Sequence, residues 1–369
     1  MDTYERMEQF ARFVWEGRGQ GLTRREFLKR GLALGLSLST IGAVLVGCGV
    51  DQKAALSETA GATATSAATA TPQATVTPLA TSTATATPSP EPTETPLPTA
   101  TPVPLQARFA VIGDFGWSGD AEAAVASLVK SWQPDFIVTT GDNNYPTGSA
   151  AAIDENVGQY YHEYMAHTGS AYGPGSEVNR FFPVLGNHDT DTDLGQPYFD
   201  YFVLPGNERY YLVDWPPVRI YAVNSVPWIE DDGVHPDSVQ AEWLKRELAA
   251  ANGAWNIVVF HHPPYGSGYK GVSTWMRWPF QEWGAHVVLN GHNHVYERIM
   301  INGFPYITNG AGGGPLYAFL DEIAEGSEVR YNMNHGAQLV QATEEQLSLQ
   351  FITRNEEVID TFVIERPLA

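Results

Sequence analysis

Gly113-Asp114-Phe115-Gly116, Gly141-Asp142-Asn143-Asn144-Tyr145, Gly186-Asn187-His188-Asp189, Phe260-His261-His262 and Gly291-His292-Asn293-His294 follow one another along the chain, each closing a hydrophobic run. Those runs, at 108–112, 135–140, 181–185, 257–260 and 286–289, are short, apolar and unbroken. Such runs read as strands buried on both faces, the pattern of a parallel sheet. Between them lie stretches with helical spacing. Residues 120–132 place Ala121, Val125, Leu128 and Val129 on one face, and 235–251 read as a helix with Pro236 near its start. A further strand is expected at 218–223, and the tail reads as three successive strands at 338–342, 346–353 and 358–365. This alternation predicts an α/β domain, with its site on loops at strand ends, notably 145–153, 190–209 and 263–275.

Taken singly, Gly-Asp-X-Gly and Gly-Asn-His-Asp read as tight turns with Asp as a cap. Their order and context say more. Asp114, Asp142, Asn187, His261 and the pair His292/His294 each leave a separate strand, and the expected convergence is on one sheet edge. Together with Tyr145 they make seven oxygen and nitrogen ligands, enough for two metal ions sharing a carboxylate. Centres of that kind hydrolyse phosphate esters. The remaining histidines read as structural or solvated: His162 and His167 on an amphipathic helix, His235 and His335 in loops, His286 at the start of a strand. Trp275, Trp278, Phe280 and Trp283 read as helix-to-sheet packing, with a substrate groove as the other possibility.

Of 369 residues, 106–369 can form one domain of about 260 residues, large enough for a sizeable core. The whole chain carries −21, and this domain holds about −20 of it. A surface so acidic repels nucleic acid, which needs a basic footprint. The single cysteine, Cys48, allows no internal disulfide.

Residues 1–48 read as an export signal with an N-terminal extension. Thr23-Arg24-Arg25-Glu26-Phe27-Leu28-Lys29 resembles a twin-arginine motif, recognised by the machinery that exports folded proteins. An uncharged run at 31–47 ends in Leu45-Val46-Gly47-Cys48, which resembles a lipoprotein cleavage box that would lipidate Cys48. The alternative is an uncleaved signal anchor. Both place the domain outside the cytoplasmic membrane, at the cell surface or in the periplasm. Residues 49–105, rich in Thr, Ala and Pro, bury too little to order themselves and read as a disordered stalk with a reach of at most ~170 Å.

The metal-ligand segments resemble those of calcineurin-like metallophosphoesterases, across nearly all of 108–300. Most members carry Asp-X-His in the first segment; Gly116 stands in that place here, and Tyr145 restores the count. With Gly291-His292-Asn293-His294-Val295-Tyr296-Glu297-Arg298, that exchange resembles the purple acid phosphatase branch. The resemblance implies a four-layer α/β/β/α sandwich in a single catalytic domain. It implies one metal on Asp114, Tyr145 and His294, a second on Asn187, His261 and His292, and Asp142 bridging them. It also implies a metal-held hydroxide attacking phosphorus. The first set, with carboxylate and phenolate, favours Fe(III); the second suits divalent Fe, Zn or Mn.

His188 is expected to face substrate, oriented by Asp189. Better-known members carry further histidines eight to ten residues after the His261 position; Tyr269 and Lys270 stand there instead. His262 is then the candidate leaving-group acid, ahead of Tyr265, Tyr269 and Lys270, or else a buried histidine beside the ligand. The activity implied is acid phosphatase action on small-molecule phosphate monoesters. The alternatives are a phosphodiesterase or nucleotide pyrophosphatase, and a surface binding module on an inert phosphoesterase fold.

The export reading makes a direct prediction. Replacing Arg24 and Arg25 together by Lys should retain the protein in the cytoplasm on cell fractionation. Cys48→Ala should permit export but abolish labelling with a lipid precursor; unchanged labelling would remove the lipoprotein assignment.

Overall fold

The computed structural model describes residues 6, 7, 9–11, 13, 14, 24–47, 105–166 and 169–366. Cys48 and all of the expected stalk except residue 105 lie outside the described residues.

The catalytic region contains two mixed sheets. The first joins β1 (Gln106–Ile112), β2 (Phe136–Thr139), β3 (Phe181–Phe182), β11 (Gly336–Thr343), β12 (Gln346–Thr353) and β13 (Val358–Glu365) in the order β13-β12-β11-β1-β2-β3. The second joins β4 (Tyr211–Trp215), β5 (Val218–Ala222), β6 (Trp255–Val259), β7 (Val287–Asn290), β8 (Tyr296–Ile301), β9 (Phe304–Asn309) and β10 (Ser327–Tyr331) in the order β10-β8-β9-β7-β6-β5-β4. Within them β1-β2-β3 and β5-β6-β7-β9 run parallel.

Side-chain alternation explains why the sheets face one another. Phe109 and Val111 on β1, and Trp255, Ile257 and Val259 on β6, enter one core between the sheets. Their neighbours Ala110, Ile112, Val258 and Phe260 enter a second core beneath the helices. Each strand is thus buried on both faces, which is why its sequence is continuously apolar. Each large side chain so buried contributes about 1.5–3 kcal/mol. The layers are helix, sheet, sheet, helix, the expected α/β sandwich.

The helix Asp120–Ser131 buries Val125, Leu128 and Val129 as its spacing predicts. The next long helix spans Val239–Ala249, later than its proline suggests, because the Ser238 side chain accepts the Ala241 N–H at 3.1 Å and caps it there. Trp275, Trp278 and Phe280 are buried in the outer core, so this aromatic cluster is packing. Four strands escape the sequence reading: β4, β8, β9 and β10. The β8–β9 hairpin had a readable signal, since Asn302-Gly303 takes positive φ at both residues (52° and 81°), the conformation that Asn-Gly favours in two-residue hairpins.

In the N-terminal segment the apolar run is not one span. Helices Arg24–Ala33 and Leu38–Gly47 are separated by a turn with Gly35 at φ 75°. Among the described residues no helix is long and apolar enough to cross a membrane.

Arg298, the last residue of the Gly291–Arg298 segment, sets a stability test. It is buried, its Nε donates to Asp360 Oδ2 at 2.7 Å, and it also pairs with Glu328. The pair ties β8 of one sheet to β13 of the other. Arg298→Met strands a buried carboxylate and should cost about 3–5 kcal/mol in chemical denaturation. Adding Asp360→Leu should restore most of that loss.

Candidate metal centre

All five ligand segments leave carboxyl ends of parallel strands, but from both sheets rather than one edge: β1, β2 and β3 on one side, β6 and β7 on the other. Hydrogen bonds close the seam. Thr140 Oγ1 donates to the Asn309 carbonyl at 3.0 Å and Asn309 Nδ2 to the Val111 carbonyl at 2.8 Å, while within the second sheet the Gly291 N–H donates to the His261 carbonyl at 3.0 Å.

The same seam sets histidine tautomers. His261 Nδ1 donates to the Thr140 carbonyl at 2.8 Å and His294 Nδ1 to the Pro315 carbonyl at 2.6 Å. A carbonyl only accepts, so each Nδ1 holds a proton and each Nε2 faces inward, its lone pair open to a cation whenever that nitrogen is unprotonated.

Two donor groups result. In the first, Tyr145 Oη lies 2.9 Å from His294 Nε2, 3.0 Å from Asp142 Oδ2 and 3.4 Å from Asp114 Oδ1. In the second, His261 Nε2 lies 3.0 Å from Asn187 Oδ1, 3.2 Å from His292 Nδ1 and 3.4 Å from Asp142 Oδ2. Asp142 belongs to both. All seven side chains are buried. Hard carboxylate and phenol oxygens on one side, and amide and imidazole donors on the other, fit two cations bridged by one carboxylate.

The backbone is bent to make this possible. Asp114, Asp142 and His292 sit at φ 53°, 53° and 68°, a left-handed conformation that costs non-glycine residues about 1–3 kcal/mol each. Gly186 lies so close that a Cβ there would meet the Asp142 backbone nitrogen at 2.2 Å. Gly116 explains the exchanged ligand. A Cβ at 116 would strike the Asn143 carbonyl oxygen at 1.8 Å, and the Gly116 carbonyl accepts the Tyr145 N–H at 2.8 Å. The loop that delivers Tyr145 thus occupies the space a side chain at 116 would need.

The buried groups shift one another's protonation. Burial alone would raise Asp142, yet His261, His188 and His292 hold it well below the ordinary carboxylate range. Burial, with Asp142 and Asp114 adjacent, pushes the Tyr145 phenol well above its usual value. A phenol so placed ionises only against a strongly acidic cation.

His188 and Asp189 depart from expectation. The His188 Nδ1 donates to the Pro146 carbonyl at 2.7 Å, so that carbonyl sets its tautomer. Its half-buried ring lies 4.6 Å from the Tyr145 ring. Asp189 turns elsewhere: its carboxylate accepts the Asn143 N–H at 2.9 Å, Asn143 Nδ2 at 2.8 Å and the Gly186 N–H at 2.9 Å. It ties the Tyr145 loop to the Asn187 loop.

His262 is fully buried between His261, His292, Trp228 and Trp275, with Nδ1 2.9 Å from Ser225 Oγ. Its ring nitrogen falls in one cluster with those of His261 and His292. That placement agrees with the buried alternative rather than with an acid open to a departing oxygen. Of the remaining histidines, His162 bonds the Pro174 carbonyl, His286 the Asn256 N–H, His335 the Gly314 carbonyl, and His235 pairs with Asp237; His167 lies outside the described residues.

Tyr317 was not singled out by sequence. It stacks flat on the His294 ring, 4.0 Å between centroids and 10° between planes. Only its position three residues after Gly314, in a glycine-rich turn, hints at it.

Comparisons with known proteins place the chain. The family model described as calcineurin-like phosphoesterase matches residues 107–296. The chain is 24% identical over 236 residues to purple acid phosphatase 17 of Arabidopsis thaliana, covering 55% of this chain and 68% of that protein. It is 24% identical over 241 residues to the Homo sapiens tartrate-resistant acid phosphatase type 5, covering 56% and 72%. Among solved structures it is similar to the purple acid phosphatase PPD1 of yellow lupin (Lupinus luteus), TM-score 0.58 at 18% identity, over 72% of this chain but little more than half (55%) of that one. It is also similar to GAP50, the anchor in the inner membrane complex of Plasmodium, TM-score 0.55 at 20% identity, over 72% and 90%. The chain belongs to the calcineurin-like phosphoesterase family and is a hydrolase of phosphoric esters.

The Asp189 geometry yields a prediction that differs from a role in orienting His188. Asp189→Asn leaves one oxygen acceptor for three donors, so both ligand loops should loosen. Affinity for both metals should fall about 10–100-fold in a metal titration. Full retention of both ions would show that the loops hold without it.

Proposed function

We propose that this calcineurin-like phosphoesterase is a dinuclear acid phosphatase of the purple type, exported and anchored at the membrane, that releases phosphate from small-molecule monoesters. The observation that carries the reading is the complete ligand set in two groups sharing Asp142, with Tyr145 in the first. Asp114, Tyr145 and His294 would hold Fe(III), and Asn187, His261 and His292 a divalent Fe, Zn or Mn. Two such cations supply charge for the phosphate oxygens and acidify water at neutral pH.

The protein's own groups do the rest. His188, with its proton fixed on Nδ1 and its ring at the mouth, turns Nε2 to a phosphate oxygen and, when protonated, steadies charge developing there. Asp189 keeps the two ligand loops in register. The enclosed His262, beside His261 and His292, excludes water behind the second group. Export rests on the twin-arginine segment, and anchoring on Leu45-Val46-Gly47-Cys48.

Two other readings keep specific support. A diesterase would use the same ligands. A binding module has a fold precedent in GAP50, an anchor, but an inert module has no need of three strained residues at the candidate ligand positions.

The test is turnover by the purified, metal-loaded protein. It should hydrolyse phenyl phosphate at least 100-fold faster than diphenyl phosphate, and the oxidised protein should be coloured by tyrosinate-to-iron charge transfer. Tyr145→Phe should bleach that colour. A preference for the diester would favour the diesterase; a colourless, active enzyme containing only zinc or manganese would remove the purple assignment and leave the phosphoesterase.

A further inference from the structure

The wall beside the first ligand group is aromatic and carries one cation. Tyr317 covers the His294 face. Tyr269 follows at 6.3 Å between ring centroids, and its side chain is 64% exposed. Lys270 Nζ lies 5.9 Å from the Tyr317 centroid.

This tip is held rather than trailing. Asn293, between the ligands His292 and His294, accepts the Lys270 N–H through Oδ1 at 2.9 Å and donates through Nδ2 to the Gly271 carbonyl at 3.0 Å. Gly268 bridges to Phe319, and the Leu320 N–H donates to the Ser267 carbonyl at 2.8 Å. A large aromatic side chain left in water on a clamped loop next to a catalytic centre is poised to cover something flat. The neighbouring ammonium is one of only thirteen basic residues in 106–369, a region with thirty-three acids.

We propose that Tyr269, Tyr317 and Lys270 form a leaving-group subsite that selects esters of an aromatic alcohol carrying its own negative charge. The inference rests on the phosphoesterase reading above and names the substrate class of that site. With phosphate held by the metals and His188, the leaving group extends along the Tyr317 wall. Its ring packs on Tyr269, and its anionic substituent meets Lys270. Aromatic packing at such a face changes affinity about 10-fold.

The experiment compares ligands, not only rates. On the metal-loaded protein, binding of benzylphosphonate, 4-carboxybenzylphosphonate and propylphosphonate is measured by calorimetry. In parallel, kcat/KM is measured for phenyl, 4-carboxyphenyl and ethyl phosphate. Wild type should bind benzylphosphonate about 10-fold tighter than propylphosphonate, and the carboxylated form tighter again. Tyr269→Ala should lower the benzyl-to-propyl binding ratio about 10-fold, and Tyr269→Phe should keep it. Lys270→Gln should remove only the advantage of the carboxylate, and added salt should do the same. The aryl-to-alkyl ratio of kcat/KM should fall in step with the binding ratio in Tyr269→Ala. Wild type without aryl preference in binding overturns the subsite, as does a Tyr269→Ala that weakens all three phosphonates equally. Failure of the phosphatase reading looks different: none of the esters is turned over, while the phosphonate ratios still report on the subsite.

Discussion

A carboxylate buried where two sheets meet is the constraint to which the rest of this structure answers. Asp142 Oδ1 accepts the His188 N–H at 2.9 Å, while Oδ2 faces Tyr145 at 3.0 Å and His261 at 3.4 Å. A charge removed from water is costly unless it is paired and hydrogen-bonded. Partners must therefore come from both sheets, and the sheets must approach end to end. The Thr140 and Asn309 hydrogen bonds and the bare Cα of Gly291, where a Cβ would meet Asp114 Oδ2 at 2.5 Å, serve that approach. Local strain of a few kcal/mol is then held by two cores whose apolar burial is far larger.

This division explains what the sequence discloses. The strands β1, β2, β6 and β7 are buried on both faces, so they appear as apolar runs with ligands at their ends. Four more strands are less marked. β10 is only half-buried, and β4 alternates between buried and exposed residues beside a loop that was expected to run on to 209. β8 is hidden because its first residues continue a ligand segment, Tyr296-Glu297-Arg298, whose polar side chains are nonetheless buried through pairing. The candidate ligands were legible through their order: an Asp or Asn is ordinary in a turn, but each of these closes a separate apolar run. Their support was not. Nothing in the order of residues shows that Asp189 reaches Asn143 and Gly186, that Pro146 orients His188, or that His262 is enclosed. The Asn143–Asp189 and Pro146–His188 contacts join segments more than 40 residues apart, fixed only when the strands are paired.

Charge organises the molecule on a larger scale. The acidic surface disfavours nucleic acid, and the same field would repel a phosphate ester. Two bridged cations, as proposed, would reverse the sign locally, beside the rings of Trp117 and His188, which contact Tyr145, and of Tyr317, which contacts His294. Capture is then short-range, by metal charge and ring faces, rather than by long-range steering. A centre of that kind discriminates through the groups next to it, because phosphate itself is common to every substrate.

One fold serves proteins as different as phosphatases and, in GAP50, an anchor. Fold alone therefore decides little. What separates the possibilities is whether strain is retained where only chemistry needs it. Here Asp114, Asp142 and His292 stay left-handed, His261 and His294 have their protons directed outward, and Gly116 gives up its side chain so that Tyr145 can enter. The strained turns lower the stability of the empty fold, and all of these features together suit a site for cations. A scaffold drifting from catalysis would relax the strained turns first, since relaxation there stabilises the chain. Their joint presence is the physical argument for a working centre.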